Sequence, residues 1–167
     1  MGDIVTTLEK FKKGWKGGGA ETPCGSGSKL ENTVLQRKVF PQWVEKYGIK
    51  TVADIGAGDL NWITHIDWEV DYAAYDLVPR RPGVIEFDIV RNVAPRADAL
   101  LCLWVLNHMP YDDCLAALGN LKASGSKYLI MTDRPRWHCE QPPQIQMESL
   151  ETIALNAKGD AIKLVEL

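Results

Sequence analysis

The stretch that decides the fold is "TVADIGAGDLNW", Thr51 to Trp62. An apolar run carries an acid, Asp54, and gives way to two glycines at alternate positions, Gly56 and Gly58. Asp59, Asn61 and Trp62 follow. Glycines directly after a strand let the chain turn sharply and let backbone approach a ligand. A short helix predicted over residues 59–66 would add free N–H groups at its first turn. Paired glycines also serve ordinary turns, so the surrounding segments have to decide between the two readings.

Those segments repeat one theme. "YAAYDLV" (72–78), "VIEFDIV" (84–90), "ALLCLWV" (99–105) and "KYLIMTD" (127–133) are further apolar runs of strand length. Runs apolar throughout point to strands covered on both faces, hence a mostly parallel sheet with helices packed on it. "SLETIAL" and "AIKLVEL" around "NAKGD" predict a closing antiparallel hairpin. The expected fold is a three-layer, Rossmann-like α/β domain with seven strands. Asp76 ends the second strand and Asp88 stands near the end of the third. With Asp54 they would line the carboxyl edge of the sheet, where open α/β sheets bind ligands. Any one of these acids is at home in a solvated turn; their joint placement is the informative feature. A carboxylate at Asp76 can accept hydrogen bonds from both hydroxyls of a ribose, and one at Asp88 can reach an adenine amino group.

The chemistry of the bend narrows the ligand. A dinucleotide fingerprint needs a third glycine at position 61, where this chain has Asn61. No lysine or arginine lies between Thr51 and Val78, and Asp54 and Asp59 would repel a phosphate. They suit a ligand with a positive amino group. S-adenosylmethionine (SAM) has that group, a sulfonium, a ribose and an adenine, and no phosphate.

On these residues the chain resembles the class I SAM-dependent methyltransferases. "VADIGAGDLNW" is similar to their first motif, "YAAYDLV" to the second, "EFDIV" to the third, and "DALLCLWVLNHMP" to the fourth strand with its loop. "GSGSKLENT" together with "GDLNW" is similar to a bacterial and phage subgroup of small methyltransferase-like proteins. The resemblance covers roughly residues 25–135. It implies Asp54, Gly56, Ala57 and Gly58 at the methionine part of the cofactor, with Trp62 beside them. It implies Asp76 and Leu77 at the ribose, and Asp88 and Ile89 at the adenine. Leu103 and Trp104 would face the inner side. The family pattern E/D-x-G-x-G-x-G is broken at Leu60, which stands in place of the third glycine.

Methyl transfer chiefly requires alignment of acceptor and methyl group. A base is needed only where the acceptor must lose a proton. Asn107 and His108, just past the fourth strand, are the catalytic candidates; a capping Asn and a structural His are the competing reading. Asp133 and Arg134, past the fifth strand, are candidates for substrate binding or plain turn residues. Trp15, Trp62, Trp104 and Trp137 could form an aromatic wall near the same edge. The acceptor is expected to be a small molecule. A catalytically silent binding module, nucleic-acid methylation and nicotinamide-dependent oxidoreduction are the alternatives.

The bulk composition agrees with one domain. The chain has 167 residues, 46% hydrophobic and 25% charged, with a formal charge of -3. That size buries a real core, and the charge argues against broad nucleic-acid binding. The cysteines Cys24, Cys102, Cys114 and Cys139 show no metal-finger spacing, which predicts no metal site, free thiols and a cytoplasmic setting. No run is long enough to span a bilayer, and no membrane association is expected. Gly2 and Thr6 match a loose myristoylation pattern.

Upstream of the sheet, Ile4, Leu8, Phe11 and Trp15 recur at helical spacing. "KGGGAETPCGSGS" is glycine- and serine-rich, so residues 1–28 read as an N-terminal helix with a lid or linker, and 29–167 as the SAM-binding domain. Ser28 and Glu31 predict a capping box. Behind it Leu30, Val34, Leu35, Val39, Trp43, Val44 and Tyr47 predict one inward helical face, ended by Gly48 and kinked or split at Pro41. In "YDDCLAALGNLKA" (111–123), Leu115, Leu118 and Leu121 are expected inward.

Overall fold

A computed structural model describes residues 8, 9, 11–133 and 147–167. Ile4, Arg136, Trp137, His138 and Cys139 fall outside the described residues. Among those described, the strands β1 (Thr51–Ile55), β2 (Asp71–Asp76), β3 (Val84–Glu86), β4 (Ala99–Cys102), β5 (Tyr128–Asp133), β6 (Ser149–Ala154) and β7 (Ala161–Glu166) form one sheet. Its order is β3-β2-β1-β4-β5-β7-β6. The first five strands pair in parallel, and β7 runs antiparallel to both β5 and β6. The expected mostly parallel seven-strand sheet with an antiparallel hairpin is what the chain forms.

Two helices cover opposite faces. α1 (Val34–Tyr47) sends Phe40, Trp43 and Val44 onto Val52, Leu101, Ile130, Ile162 and Leu164. α2 (Tyr111–Ala123) sends Cys114, Ala117 and Leu121 onto Ala53, Ile55, Leu100, Cys102, Leu129 and Met131. Consecutive residues of β1, β4 and β5 thus enter opposite cores, which is why those runs carry no polar alternation. α1 stops at Gly48, whose φ of +64 is the left-handed conformation that glycine adopts without a Cβ clash.

Several local expectations are corrected. Residues 59–66 form no α-helix; one 3-10 turn, Ile63–His65, stands there. β3 is three residues long, and β2 joins it through residues 77–83, fewer than the roughly dozen a helical crossover needs. Ser28 caps nothing: it ends the 3-10 turn Ser26–Ser28, Glu31 pairs with Lys29 instead, and Thr33 precedes α1. α1 runs through Pro41 as a single helix, so Pro41 does not split it. Its inward face is rotated from the predicted one. Val34 and Leu35 are 57% and 42% exposed, while Gln36 is buried. In α2, Leu115 likewise faces outward and Cys114 takes the inner position. In both helices the apolar count misled because the facing strands decide which stripe is covered.

Gly56 lets the chain leaving β1 pass close to Val105, just beyond β4. Its φ is +88, and a Cβ there would lie 2.1 Å from Val105 Cγ2. Gly56→Ala combines left-handed strain with overpacking. It should destabilise the fold by roughly 3 kcal/mol. Thermal denaturation should show Tm lowered by about 6–12 °C; an unchanged Tm would show that Val105 yields freely.

Candidate functional site

β1 and β4 are neighbours in the sheet, but the chain leaves them toward opposite edges. A crevice opens at their carboxyl ends, the point at which open α/β sheets bind ligands. A cavity of about 1340 Å³ lies there. Its floor includes Asp54, Gly56, Ala57, Gly58 and Trp62 from β1 and the following loop. Asp76 and Leu77 come from the end of β2, and Asp88 and Ile89 from the segment after β3. Leu103, Trp104 and His108 come from the segment after β4. The structure therefore gathers every cofactor candidate of the sequence in one cleft. Asn107 is not on the cavity wall; it is buried in the 3-10 turn Leu106–His108. Asp133 is not on it either, and its carboxylate meets Lys163 Nζ at 2.5 Å. Arg134 lies outside the described residues.

The bend after β1 directs its donors inward. The N–H groups of Gly56 and Ala57 both donate to the Tyr75 carbonyl, at 2.7 and 3.0 Å. The Gly58 N–H donates to Asp76 Oδ2 at 2.8 Å, and the Val78 N–H donates to Asp76 Oδ1 at 2.8 Å. The bend thus holds β2 with the N–H groups that a phosphate loop would leave open. With no α-helix behind it, it offers no helix N-terminus to an anion either. Each Asp76 oxygen keeps a second lone pair for a further donor.

Two of the acids are electrostatically unusual. Asp54 is 5% exposed and accepts a 2.6 Å hydrogen bond from the Tyr72 hydroxyl. Burial outweighs that bond, and with the neighbouring Asp76 charge it pushes the Asp54 carboxyl from 3.8 to about 7. Asp76 is also raised, mainly by burial, against the pull of the two backbone N–H groups and Arg80. Asp88 accepts the Val90 N–H at 2.9 Å and has Arg91 Nε at 3.5 Å.

The remaining wall comes from the N-terminal segment. Trp15 stacks on the His108 ring, centroids 4.2 Å apart, and meets Phe11 edge-on. The Arg80 guanidinium donates to the Phe11 carbonyl. The Trp15 N–H donates to the Pro23 carbonyl at 2.7 Å, closing the loop between them. Asn61, read in the sequence only as a missing glycine, is the tie between this segment and the bend. Its Nδ2 donates to Glu21 Oε1 at 2.8 Å and to the Ser28 carbonyl at 3.0 Å. Glu21 Oε1 also accepts the Leu30 N–H at 2.7 Å, and these bonds hold its carboxyl below the ordinary value. Trp62 packs edge-on against Phe40, 6.0 Å away, and fixes the same loop to α1. Asn61 and Trp62 close the polar run because they bind it to its neighbours. Cys24 sits against the bend, its thiol pushed up to about 11 by burial and by Asp59. Lys12, Lys16, Gln36, Asn156 and Asp160 also line the cavity, and the sequence had assigned none of them to a site.

No protein-family model matches the chain, and no curated protein matches its sequence. Solved structures do share its fold. The N-methyltransferase NodS from Bradyrhizobium japonicum WM9, in complex with S-adenosyl-L-homocysteine, superposes with a TM-score of 0.67 at 12% identity, covering 96% of each chain. Magnesium protoporphyrin IX methyltransferase (ChlM) from Synechocystis PCC 6803, with bound SAM, gives 0.58 at 15% identity over 81% of this chain and 79% of that one. Methyltransferase CalO6 gives 0.54 at 15% identity over 84% and 68%. The chain has the Rossmann-like methyltransferase fold.

Removing Asn61 tests the tie. Asn61→Ala should cost about 1 kcal/mol per lost bond at most. It should also speed amide hydrogen exchange across residues 14–30 while leaving β1 and β4 protected. Equal exchange in the two proteins would show the segment held by other contacts.

Asp54 sets a pH trend. Its folded pKa lies above the unfolded value, so the folded state binds the extra proton between pH 4 and 7. Its contribution to stability is fully present below about pH 4 and is lost as pH rises toward 7. Relative to wild type, Asp54→Asn should gain in Tm as pH is raised from 4.5 to 7.5; a constant difference would mean that Asp54 titrates normally.

Proposed function

We propose that this chain is a SAM-dependent methyltransferase acting on a small molecule. One observation carries the reading: three acids from adjacent strands share a cleft with a glycine bend whose N–H groups are already used. Such a cleft is poor for a pyrophosphate and good for an adenosine whose other end is cationic. Asp76, held by two backbone donors, would take the ribose hydroxyls. Asp88 and the Ile89 backbone would take the adenine. Asp54 and the Gly56–Gly58 bend would face the amino-acid end. Bound there, SAM supplies a methyl group on a positively charged sulfur, already activated for displacement.

The chain's own share is alignment and exclusion of water. Leu103 and Trp104 would flank the reacting centre, with Phe11 and Trp15 closing over it. His108, on the cavity wall, is the candidate to receive a proton from the acceptor. Asp133 and Arg134 remain candidates for the outer substrate contacts. A cavity of about 1340 Å³ exceeds the roughly 300–1,000 Å³ of an ordinary ligand pocket, which supports simultaneous binding of cofactor and acceptor. Residues 1–28 would act as a lid over the domain formed by 29–167, and the Asn61 and Arg80 ties support this division. The resemblance to the bacterial and phage subgroup supports such an origin. Cys24 and Cys102 are free thiols, in keeping with a reducing cytoplasm. No helix among the described residues is long and apolar enough to cross a membrane.

A second reading, a cofactor-binding module without turnover, is favoured by the Trp15 ring stacked on the candidate base. Methyl transfer to any member of a broad acceptor panel would exclude it.

The test is calorimetric titration with S-adenosylhomocysteine and, in parallel, NAD. Wild type should bind the first and not the second. Asp76→Ala should weaken S-adenosylhomocysteine by roughly 1–3 kcal/mol. An unaltered affinity would remove Asp76 from the site, and tighter binding of NAD would replace the reading with an oxidoreductase.

A further inference from the structure

We propose that Gln36 binds the amino-acid end of the cofactor, an inference that rests on the methyltransferase reading above. Gln36 stands in the first turn of α1 and is 2% exposed, yet its Oε1 accepts no hydrogen bond. A buried amide oxygen without a donor costs free energy that a folded chain normally avoids. At the third position of a helix, a glutamine side chain commonly turns back to cap the first turn. Gln36 does not, and α1 starts without any side-chain cap. Instead it lines the cavity.

Its place in the fold says which part of the ligand it meets. α1 runs down one face of the sheet and β1 returns up it, so the start of the helix lies beside the carboxyl end of β1. Phe40, one turn further along the face carrying Gln36, packs in the same core as Val52. Asp54, two residues beyond Val52, shares its side of β1 and also lines the cavity. Gln36 and Asp54 therefore belong to one wall, while Asp76 and then Asp88 lie progressively further along the edge, on β2 and beyond β3. A ligand with ribose at Asp76 and adenine at Asp88 brings its amino-acid end to Asp54 and Gln36. An amide turns about its last bond to offer either an oxygen to an ammonium or an NH2 to a carboxylate, and that end of the ligand carries both.

The experiment compares two probes that differ only at that end. S-adenosylhomocysteine has the amino-acid group; 5′-methylthioadenosine keeps adenine, ribose and sulfur without it. Both are titrated calorimetrically into wild type and Gln36→Leu, with Gln36→Met as the second variant should the first fail to fold. The variant should bind S-adenosylhomocysteine roughly tenfold more weakly and methylthioadenosine unchanged. Its ligand-free Tm should not fall, because the substitution removes an unsatisfied buried polar atom. Equal weakening of both probes, or no weakening of either, overturns the assignment of Gln36 and leaves the cofactor reading standing. Failure of wild type to bind either probe overturns the cofactor reading and this inference with it.

Discussion

The candidate site depends on a carboxylate that holds two strand ends together. Asp76 accepts N–H groups from Gly58 in the bend after β1 and from Val78 in the turn after β2. It therefore sets the distance between two strand ends and fixes Gly58 in a left-handed conformation that glycine adopts most readily. The Tyr75 carbonyl, one residue earlier, does the same for Gly56 and Ala57. Once these bonds form, the bend has few N–H groups left to offer an anion. Burial of Asp54 and Asp76 on that edge raises both carboxyls, so a cationic group placed beside them would offset the cost of burying their charged forms.

The layers of the fold were legible because β1, β4 and β5 are covered on both faces, and an all-apolar run has few alternatives. That the cofactor candidates would share one cleft was legible because sheet topology brings strand ends together whatever lies between them. What could not be read was anything decided by tertiary partners. Val34 and Leu35 fit the apolar stripe of α1 as well as Gln36 fails it, yet the sheet covers Gln36 and leaves them exposed. Residues 59–66 have acceptable helical spacing, but Asn61 and Trp62 bind to the N-terminal loop and to Phe40, and the chain keeps one 3-10 turn. The contribution of residues 11–28 to the cavity wall depends on contacts with residues more than thirty positions away, such as Arg80 and His108. No local pattern encodes these.

Two residues hold backbone conformations that side chains disfavour. Leu60 has φ +60, a left-handed conformation, at the position where the resembled family pattern carries its third glycine. Trp104 has φ +58 just past β4. Each costs about 1–2 kcal/mol. Both are over-determined by their surroundings: the Trp104 N–H donates to Thr132 Oγ1 at 2.9 Å, and Leu60 packs against the core beneath α1. Strain of this kind concentrates at sites whose shape matters more than their stability. Here Trp104 lines the cleft at the β1–β4 switch point, and Leu60 stands in the bend between the lining residues Gly58 and Trp62.

The shortness of the chain explains the role of its N-terminal segment. Residues 77–83 leave no room for a helix between β2 and β3, and residues 56–70 hold only a 3-10 turn between β1 and β2. Tyr75 and Phe87 pack on each other, 5.7 Å apart, at the edge of the core that α2 covers. A cleft at that edge would stand open on one side. The segment from Phe11 to Ser28 supplies the missing wall, and polar ties are prominent among its described attachments: one arginine to a carbonyl and one asparagine to a carboxylate and a carbonyl, beside the stacked Trp15 and His108 rings. Polar ties of this kind exchange readily with water, unlike the apolar packing of α1 and α2. The segment thus completes the cavity wall through bonds that exchange more readily than helix packing, while the sheet positions the acids.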